Sequence, residues 1–294
     1  MMIETIKAIR GQLIKEAPLI HCITNPISIN QCANLVLASG GRPIMAEHPR
    51  EVQEITHMAK ALLLNLGNIT DARMESMAIS AREAEQWGIP YVYDAVGIAC
   101  SELRRQFTYD FLTKHSPDVI KGNYSEIQAL YNCTYRSSGV DADGSLDAEG
   151  TSRIAAELAR QYHCVILASG KVDLVTDGQR LVHVDNGTPQ LASVTGTGCM
   201  LGALCGCYVA VCQEPKECRD QAMVKAEAGR EVAADGVLEA VAGACAVLGI
   251  CGELAETDKG SGTFMVNLMD MLSTLTDREI EKYIKMEEIS IENI

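Results

Sequence analysis

The segment Leu191-Ala-Ser-Val-Thr-Gly-Thr-Gly-Cys-Met-Leu-Gly-Ala-Leu204 sets two glycines and a cysteine where a short run with β-branched Val194 turns into an apolar helix. The backbone N–H groups of Gly196, Thr197, Gly198 and Cys199 then stand at a helix N-terminus, without intrahelical acceptors and at the positive end of the dipole. Such a turn suits an anion, most of all a phosphate. Glycines at 196 and 198 remove the side chains that would block its approach. Cys199 follows beside it, where a reacting hydroxyl would lose its proton. A helix N-terminus favours a thiolate, whereas a bound phosphate opposes a second anion. A lone Gly-x-Gly is more often a plain structural turn, so other segments must carry the reading.

Polar residues recur where apolar runs end. Asp94 closes Pro90-Tyr-Val-Tyr-Asp94 just before Gly97, a place for a metal or a ribose hydroxyl, or else a turn aspartate. Lys121-Gly-Asn-Tyr-Ser-Glu126 follows Val119–Ile120. Asn123 and Glu126 have capping-box spacing, while Lys121 suits a phosphate and Glu126 a magnesium-bound water. Ser169 lies in Ala168-Ser-Gly-Lys171, whose Gly-Lys lacks the upstream glycine of a Walker A loop. The turn at Gly196 fails the Rossmann pattern, because the third glycine position holds Leu201. Thr24, Asn25, Asn30 and Asn34 crowd one apolar strand and helix start, and Met45 ends Pro43-Ile-Met45.

These residues need a scaffold that brings strand ends together. Extended runs are read at 19–23, 42–45, 61–66, 91–94, 119–120, 165–168, 174–176 and 181–184. Helices over 71–87 and 151–162 begin at the caps Asp71 and Thr151, and Gly88 with Pro90 stops the first. Alternation of this kind predicts an α/β fold with a mostly parallel sheet and helices on both faces. Asp177-Gly178 marks a hairpin. Residues 138–147 read as loop, and nearly everything after Gly198 reads as helix. In open sheets of this class, ligands bind beyond the carboxyl ends of the strands.

Composition narrows the partners. The 294 residues carry a formal charge of −14, which argues against nucleic acid and anionic membranes. The apolar stretch 236–255 contains Glu239 and Glu253, so it predicts a buried core helix, not a membrane span. Its twelve cysteines lack a Cys-x-x-Cys pair and read mainly as small buried hydrophobes in a cytoplasmic chain. With no linker or repeat, residues 1–294 read as one domain.

Together these segments resemble the hydroxyethylthiazole kinase family of thiamin salvage, within the ribokinase-like superfamily. The resemblance rests on His21-Cys-Ile-Thr-Asn25 with Asn30 and Asn34, Pro43-Ile-Met-Ala-Glu47, Leu63-Leu-Asn-Leu-Gly67, Asp94-x-Val-Gly97, Gly122-Asn-x-Ser-Glu126, Val175-Thr-Asp-Gly178 and Val194 to Gly202, in the family's order. It implies a ribokinase-like three-layer sandwich that phosphorylates the primary alcohol of 4-methyl-5-(2-hydroxyethyl)thiazole with Mg²⁺ and ATP. It implies substrate contacts at Met45, Gly196 and Asn25, and ATP contacts at Lys121, Ser169, Asn123 and Gly198. Asp94 and Glu126 would organise the metal, and Cys199 would face the hydroxyl. It also implies a homotrimer with active sites between subunits. Lys121 stands where the family usually has arginine, Ser169 replaces threonine, Ala95 replaces proline, and Pro26 replaces an aromatic or aliphatic residue. Other readings stay open: a hydroxymethylpyrimidine-type kinase, a nucleotide-dependent dehydratase, or a thiazole- or nucleotide-binding protein without turnover.

Overall fold

Short runs of β-branched and leucine residues alternate with helical segments, and each polar strand end feeds a turn. In the computed structural model, which describes residues 2–137, 146–212 and 236–290, these become one sheet with two helical layers. The order is α1 (Met2–Glu16), β1 (Leu19–Ile23), α2 (Ile29–Ala38), β2 (Arg42–Ile44), α3 (Val52–Met58), β3 (Ala61–Asn65), α4 (Asp71–Trp87), β4 (Tyr91–Asp94), α5 (Glu102–Leu112), β5 (Val119–Asn123), α6 (Tyr124–Tyr131), α7 (Ala148–Tyr162) and β6 (Val165–Ser169). The hairpin β7 (Asp173–Thr176) and β8 (Arg180–Val184) follows, then a 3₁₀ turn (Pro189–Ser193). After it come α8 (Thr197–Cys212), α9 (Val237–Leu254), α10 (Ser261–Thr274), α11 (Asp277–Tyr283) and β9 (Met286–Ser290).

The strands lie in the order β2-β1-β3-β4-β5-β6-β7-β8-β9. The first six are parallel, and the last three join antiparallel. One core, between the sheet and α1, α2, α8, α9 and α10, contains Leu35, Leu63, Leu204, Tyr208 and Phe264. The other, under α3 to α7, contains Leu64, Met77, Tyr93, Phe111 and Ile166. Because β2 to β6 all run one way, their carboxyl ends form one edge, and the sequence-predicted polar residues gather along it.

Several expectations need correction. Thr70, not Asp71, caps α4: its hydroxyl accepts from Arg73 N at 3.3 Å, leaving Asp71 to favour the dipole in the first turn. Asp147, not Thr151, caps α7, accepting from Gly150 N at 2.6 Å, so that helix starts earlier. The run before Gly196 is a 3₁₀ turn capped by Thr188 with Pro189 at its start, and only Val194 is extended. The C-terminal segment is not all helical. The charged residues of Met286-Glu-Glu-Ile-Ser290 face solvent on the edge strand β9 beside β8. Of the loop expected over 138–147, residues 138–145 lie outside the described residues, as do 213–235 of the expected helical region.

The stretch 236–255 behaves as expected. Helix α9 is long and apolar enough to cross a membrane, yet 83% of it is buried inside the protein. Its carboxylates are paired, Glu239 with Arg180 at 2.7 Å and Glu253 with Lys285 at 3.1 Å.

Candidate active site

At the middle of the carboxyl edge, Asp94 ends β4 and is fully buried. Its Oδ1 accepts from Lys121 Nζ of β5 at 3.0 Å, and its Oδ2 accepts from Asn65 Nδ2 at the end of β3 at 2.8 Å. Asn65 Oδ1 in turn accepts from Asn25 Nδ2 at 3.1 Å and from Gly67 N at 2.9 Å. Asn25 Oδ1 accepts from Ile27 N at 3.1 Å and Ser28 N at 3.2 Å. With donors facing that oxygen, the Asn25 amide has only one orientation. Its NH₂ serves Asn65 and also Cys199 Sγ, at 3.4 Å. The result is a polarised chain, Asn25 to Asn65 to Asp94, in which each amide donates toward the carboxylate.

Helix α8 lies with its glycine end over this chain. A Cβ added at Gly198 would stand 3.9 Å from Lys121 Nζ, and one at Gly202 would stand 3.1 Å from Asp94 Oδ2. The glycines therefore let the helix descend onto the buried ion pair. Gly196 has φ +91°, a conformation that favours glycine, and turns the chain into α8 against Ser28. The first-turn N–H groups of α8 and the Lys121 ammonium thus share one locus, as an anion site requires.

Glu126 completes the acidic side. Asn123 Oδ1 accepts from Glu126 N at 2.9 Å, and Glu126 Oε2 accepts from Asn123 N at 2.7 Å. This is the capping box expected from the spacing. Glu126 Oε1 accepts from Gly97 N at 2.7 Å, so the glycine turn after Asp94 is tied to the same carboxylate. Each oxygen keeps a further lone pair. Burial pushes the Glu126 carboxyl up to about 7, aided by Asp94 and opposed by Lys121. Burial also raises Asp94, against the pull of Lys121 and Asn65. For Lys121, burial works against the charge, but Asp94, Glu126 and Cys199 outweigh it and lift the group above its ordinary value.

Two carboxylates held close to one ammonium in a buried site leave negative charge uncompensated. The described residues contain no group of three or more metal-ligating side chains that would form a closed protein cage. Two oxygen donors with remaining lone pairs fit Mg²⁺, which takes few carboxylates plus water and phosphate oxygens.

The other expected residues occupy the flanks of the same edge. Ser169, at the end of β6, donates to Gly122 O at 3.4 Å and pairs in register with Asn123. Met45 follows β2 at the opposite side, half-buried against the core that includes α8. The five strand spacings from β6 to β2 span roughly 24 Å at about 4.8 Å each. Asn25, Asp94, Lys121 and Cys199 occupy the middle; Met45 and Ser169 do not meet.

The replaced positions fit their surroundings. Pro26 follows Asn25 at the second position of a turn closed by Ser28 N to Asn25 O at 3.2 Å, where its fixed φ is favourable. Ala95 N donates to Lys121 O at 2.8 Å, a bond that proline lacks the hydrogen to make. Two participants carried no individual role in the sequence reading. Asn65 is a lone polar residue ending the fully buried Ala61-Leu-Leu-Leu-Asn65, and that contrast was its signal. Asp173, at the start of β7, accepts from Gly170 N at 3.0 Å. Burial pushes its carboxyl up to about 6, with Lys121 near enough to oppose the shift.

Comparison with known proteins identifies the family. Residues 11–236 match the sequence model of the hydroxyethylthiazole kinase family. A hydroxyethylthiazole kinase 2 from Clostridium botulinum strain Hall is 39% identical over 284 residues, covering 95% of this chain and 98% of the relative. The solved hydroxyethylthiazole kinase of Pyrococcus horikoshii superposes with a TM-score of 0.81 at 32% identity, covering 98% of this chain and 99% of that one. A ribokinase-like superfamily protein from Enterococcus faecalis, at TM-score 0.58 and 13% identity over 93% of this chain and 89% of that one, shares the fold. The family model over most of the chain, with relatives 39% and 32% identical over nearly its whole length, places this α/β chain in the hydroxyethylthiazole kinase family.

Proposed function

We propose that this chain, as a single kinase domain over residues 1–294, transfers the γ-phosphoryl group of ATP to the primary alcohol of 4-methyl-5-(2-hydroxyethyl)thiazole. The observation that carries the reading is the buried Asn25–Asn65–Asp94–Lys121 chain lying directly beneath the glycine turn of α8. Phosphoryl transfer asks for positioning and charge neutralisation more than for covalent chemistry. The amides of residues 196–199 receive the transferring group, and Lys121 meets its oxygens from below. Ser169, Asn123 and Gly198 hold the rest of the nucleotide phosphates on the β5–β6 side. Met45, Asn25 and the backbone at Gly196 hold the thiazole alcohol on the β1–β2 side.

Asp94 and Glu126 would hold Mg²⁺, Glu126 through a water; when bound, the ion neutralises phosphate charge. The alcohol oxygen forms its bond to the γ-phosphorus as the bond to the ADP oxygen breaks. Cys199 orients the hydroxyl and accepts its proton late, so its loss slows transfer without abolishing it. The Asn25 hydrogen bond to Sγ supports that placement, since it fixes the sulfur beside the Asn25 amide.

A homotrimer with the thiazole pocket between subunits belongs to the same reading, and exposed Ile27, Leu37 and Val266 offer apolar surface for subunit contact. A cytoplasmic metabolic role accompanies the reading. The test is incubation of purified protein with the thiazole alcohol and Mg-ATP, with mass spectrometry of the product. A phosphoester on the hydroxyethyl group is expected; thiazole binding without product would overturn the kinase mechanism.

A further inference from the structure

The segment that presents Met45 has little backbone support. Strand β2 is three residues long and lies at the sheet edge, and residues 45–48 form no regular structure. Side chains from other elements hold it instead. His21 of β1 sits one strand inward, in register with Ile44. Its Nε2 lies 2.9 Å from Ala46 O, and its Nδ1 lies 2.9 Å from Thr56 Oγ1 of α3. Ser76 of α4 donates to Glu47 O at 2.8 Å. Arg73 of α4 donates to the Glu47 carboxylate at 2.7 Å and to Asn68 O at 2.6 Å, joining this segment to the loop after β3.

The chemistry of the partners assigns the His21 protons. A carbonyl oxygen only accepts, so Nε2 carries hydrogen and donates to Ala46. In the neutral ring Nδ1 then accepts, and the Thr56 hydroxyl is its donor. The ring is fully buried, and burial holds it to about 4, against the favourable contact with Ala46. A neutral ring of one tautomer therefore grips the carbonyl between Met45 and Glu47. Thr56 acts by fixing that tautomer.

We propose that His21, oriented by Thr56, is a positioning residue that sets the acceptor pocket by holding Ala46, and so tunes recognition of the alcohol and not of ATP. This inference rests on the proposed assignment of Met45 to the thiazole. Nothing in the clamp touches the nucleotide side of the edge, which begins strands away at β4 and β5.

The experiment is steady-state kinetics of the wild-type protein and of His21→Asn, His21→Gln and Thr56→Val, with thiazole alcohol and ATP varied separately. Hydrogen exchange of residues 45–48 is followed in the same proteins. Asparagine leaves its amide near Thr56 and out of reach of Ala46, whereas glutamine extends an N–H toward it. His21→Asn is expected to raise KM for the alcohol about tenfold, the loss of one hydrogen bond, with KM for ATP within about twofold. His21→Gln should recover much of that loss, Thr56→Val should fall between, and exchange at 45–48 should quicken in the order of the KM effects. An unchanged alcohol KM in all three variants of an active enzyme would overturn the proposal. So would equal rises in both KM values, which mark general damage. If His21→Asn does not fold, His21→Gln and Thr56→Val decide on the same criteria. A wild-type protein that does not turn over the thiazole overturns the functional reading first, and this inference with it.

Discussion

The centre of the carboxyl edge and its β2 flank are held in different ways. In the centre, β3, β4 and β5 pair on both sides, and buried Asn65, Asp94 and Lys121 bond directly to one another. On the flank, the Met45 segment leaves an edge strand and is held by His21, Ser76 and Arg73. Charge-handling groups sit where the sheet ladder fixes the backbone on two sides. The Met45 segment hangs on individual side-chain bonds, each of which one substitution removes. The difference teaches where such a protein is able to change: the flank can alter without unfolding the buried Asn65–Asp94–Lys121 cluster, whereas a change in the centre disturbs that cluster and folding together.

The largest effect should come from the centre. Asp94→Asn leaves Lys121 buried without its counter-charge and removes an oxygen proposed for Mg²⁺. Turnover should fall about a thousandfold or more, and stability by about 3 kcal/mol, as for other half-removed buried pairs. Kinetics and urea denaturation on one preparation check the two losses together. A variant that loses activity at unchanged stability would separate chemistry from folding and break the contrast with the flank.

Cys199 comes next. Its replacement by alanine removes the sulfur that accepts from Asn25 but leaves Asp94 and Lys121 in place. A decrease in kcat of about tenfold to a hundredfold is expected, at or below the low end of the usual effect of proton-transfer groups, because the proton moves late. ATP affinity, measured by calorimetry, should stay unchanged. If Cys199→Ser is completely inactive yet binds ATP normally, sulfur has a larger part than assigned here.

On the flank, protons report the clamp. Burial holds His21 to about 4 in the folded protein, against an ordinary 6.5. Between those values the unfolded chain binds more protons, so this contribution to stability rises with pH. It is fully present above about 6.5 and is lost as pH falls through the folded value. Comparing wild-type with His21→Gln by urea denaturation at pH 4.5 and 7.5 should reveal a change in the stability gap on the order of 3 kcal/mol. A gap independent of pH would show that the ring is not held neutral.

The smallest effect tests a family difference. Ala95→Pro removes the bond from residue 95 N to Lys121 O, costing about 1 kcal/mol, and restricts the unfolded chain, which offsets part of it. A Tm within a few degrees of the wild type is expected for a net change of that size. A larger drop would mean that the Lys121 carbonyl anchors the centre more firmly than one hydrogen bond accounts for.

Much of the site was legible because its cues are local. Asn123 and Glu126 announce a capping box by their spacing, and Gly196-Thr-Gly198 announces a helix entry, whatever packs around them. The strands to β8 were legible from apolar runs bounded by turn residues. The end of the chain was not, because Met286–Ser290 takes its strand conformation from pairing with β8 more than from its own composition. The cap positions shifted because Thr70 and Asp147 each stand before the residue read as the cap and cap the first turn, Thr70 accepting from Arg73 N and Asp147 from Gly150 N.

By itself, the sequence determined the alternation of strand and helix, the polar residues at strand ends, the glycine turn into α8 and the family. Those properties depend on residue type and short spacing. Only the tertiary structure decided that Lys121 binds Asp94, that Asn25 reaches both Asn65 and Cys199, and that His21 grips Ala46. Asn25 and Cys199 are 174 positions apart, and His21 and Ala46 are 25 apart. No local preference encodes such contacts; they follow from the strand order β2-β1-β3-β4-β5, which packing of the two helical layers selects.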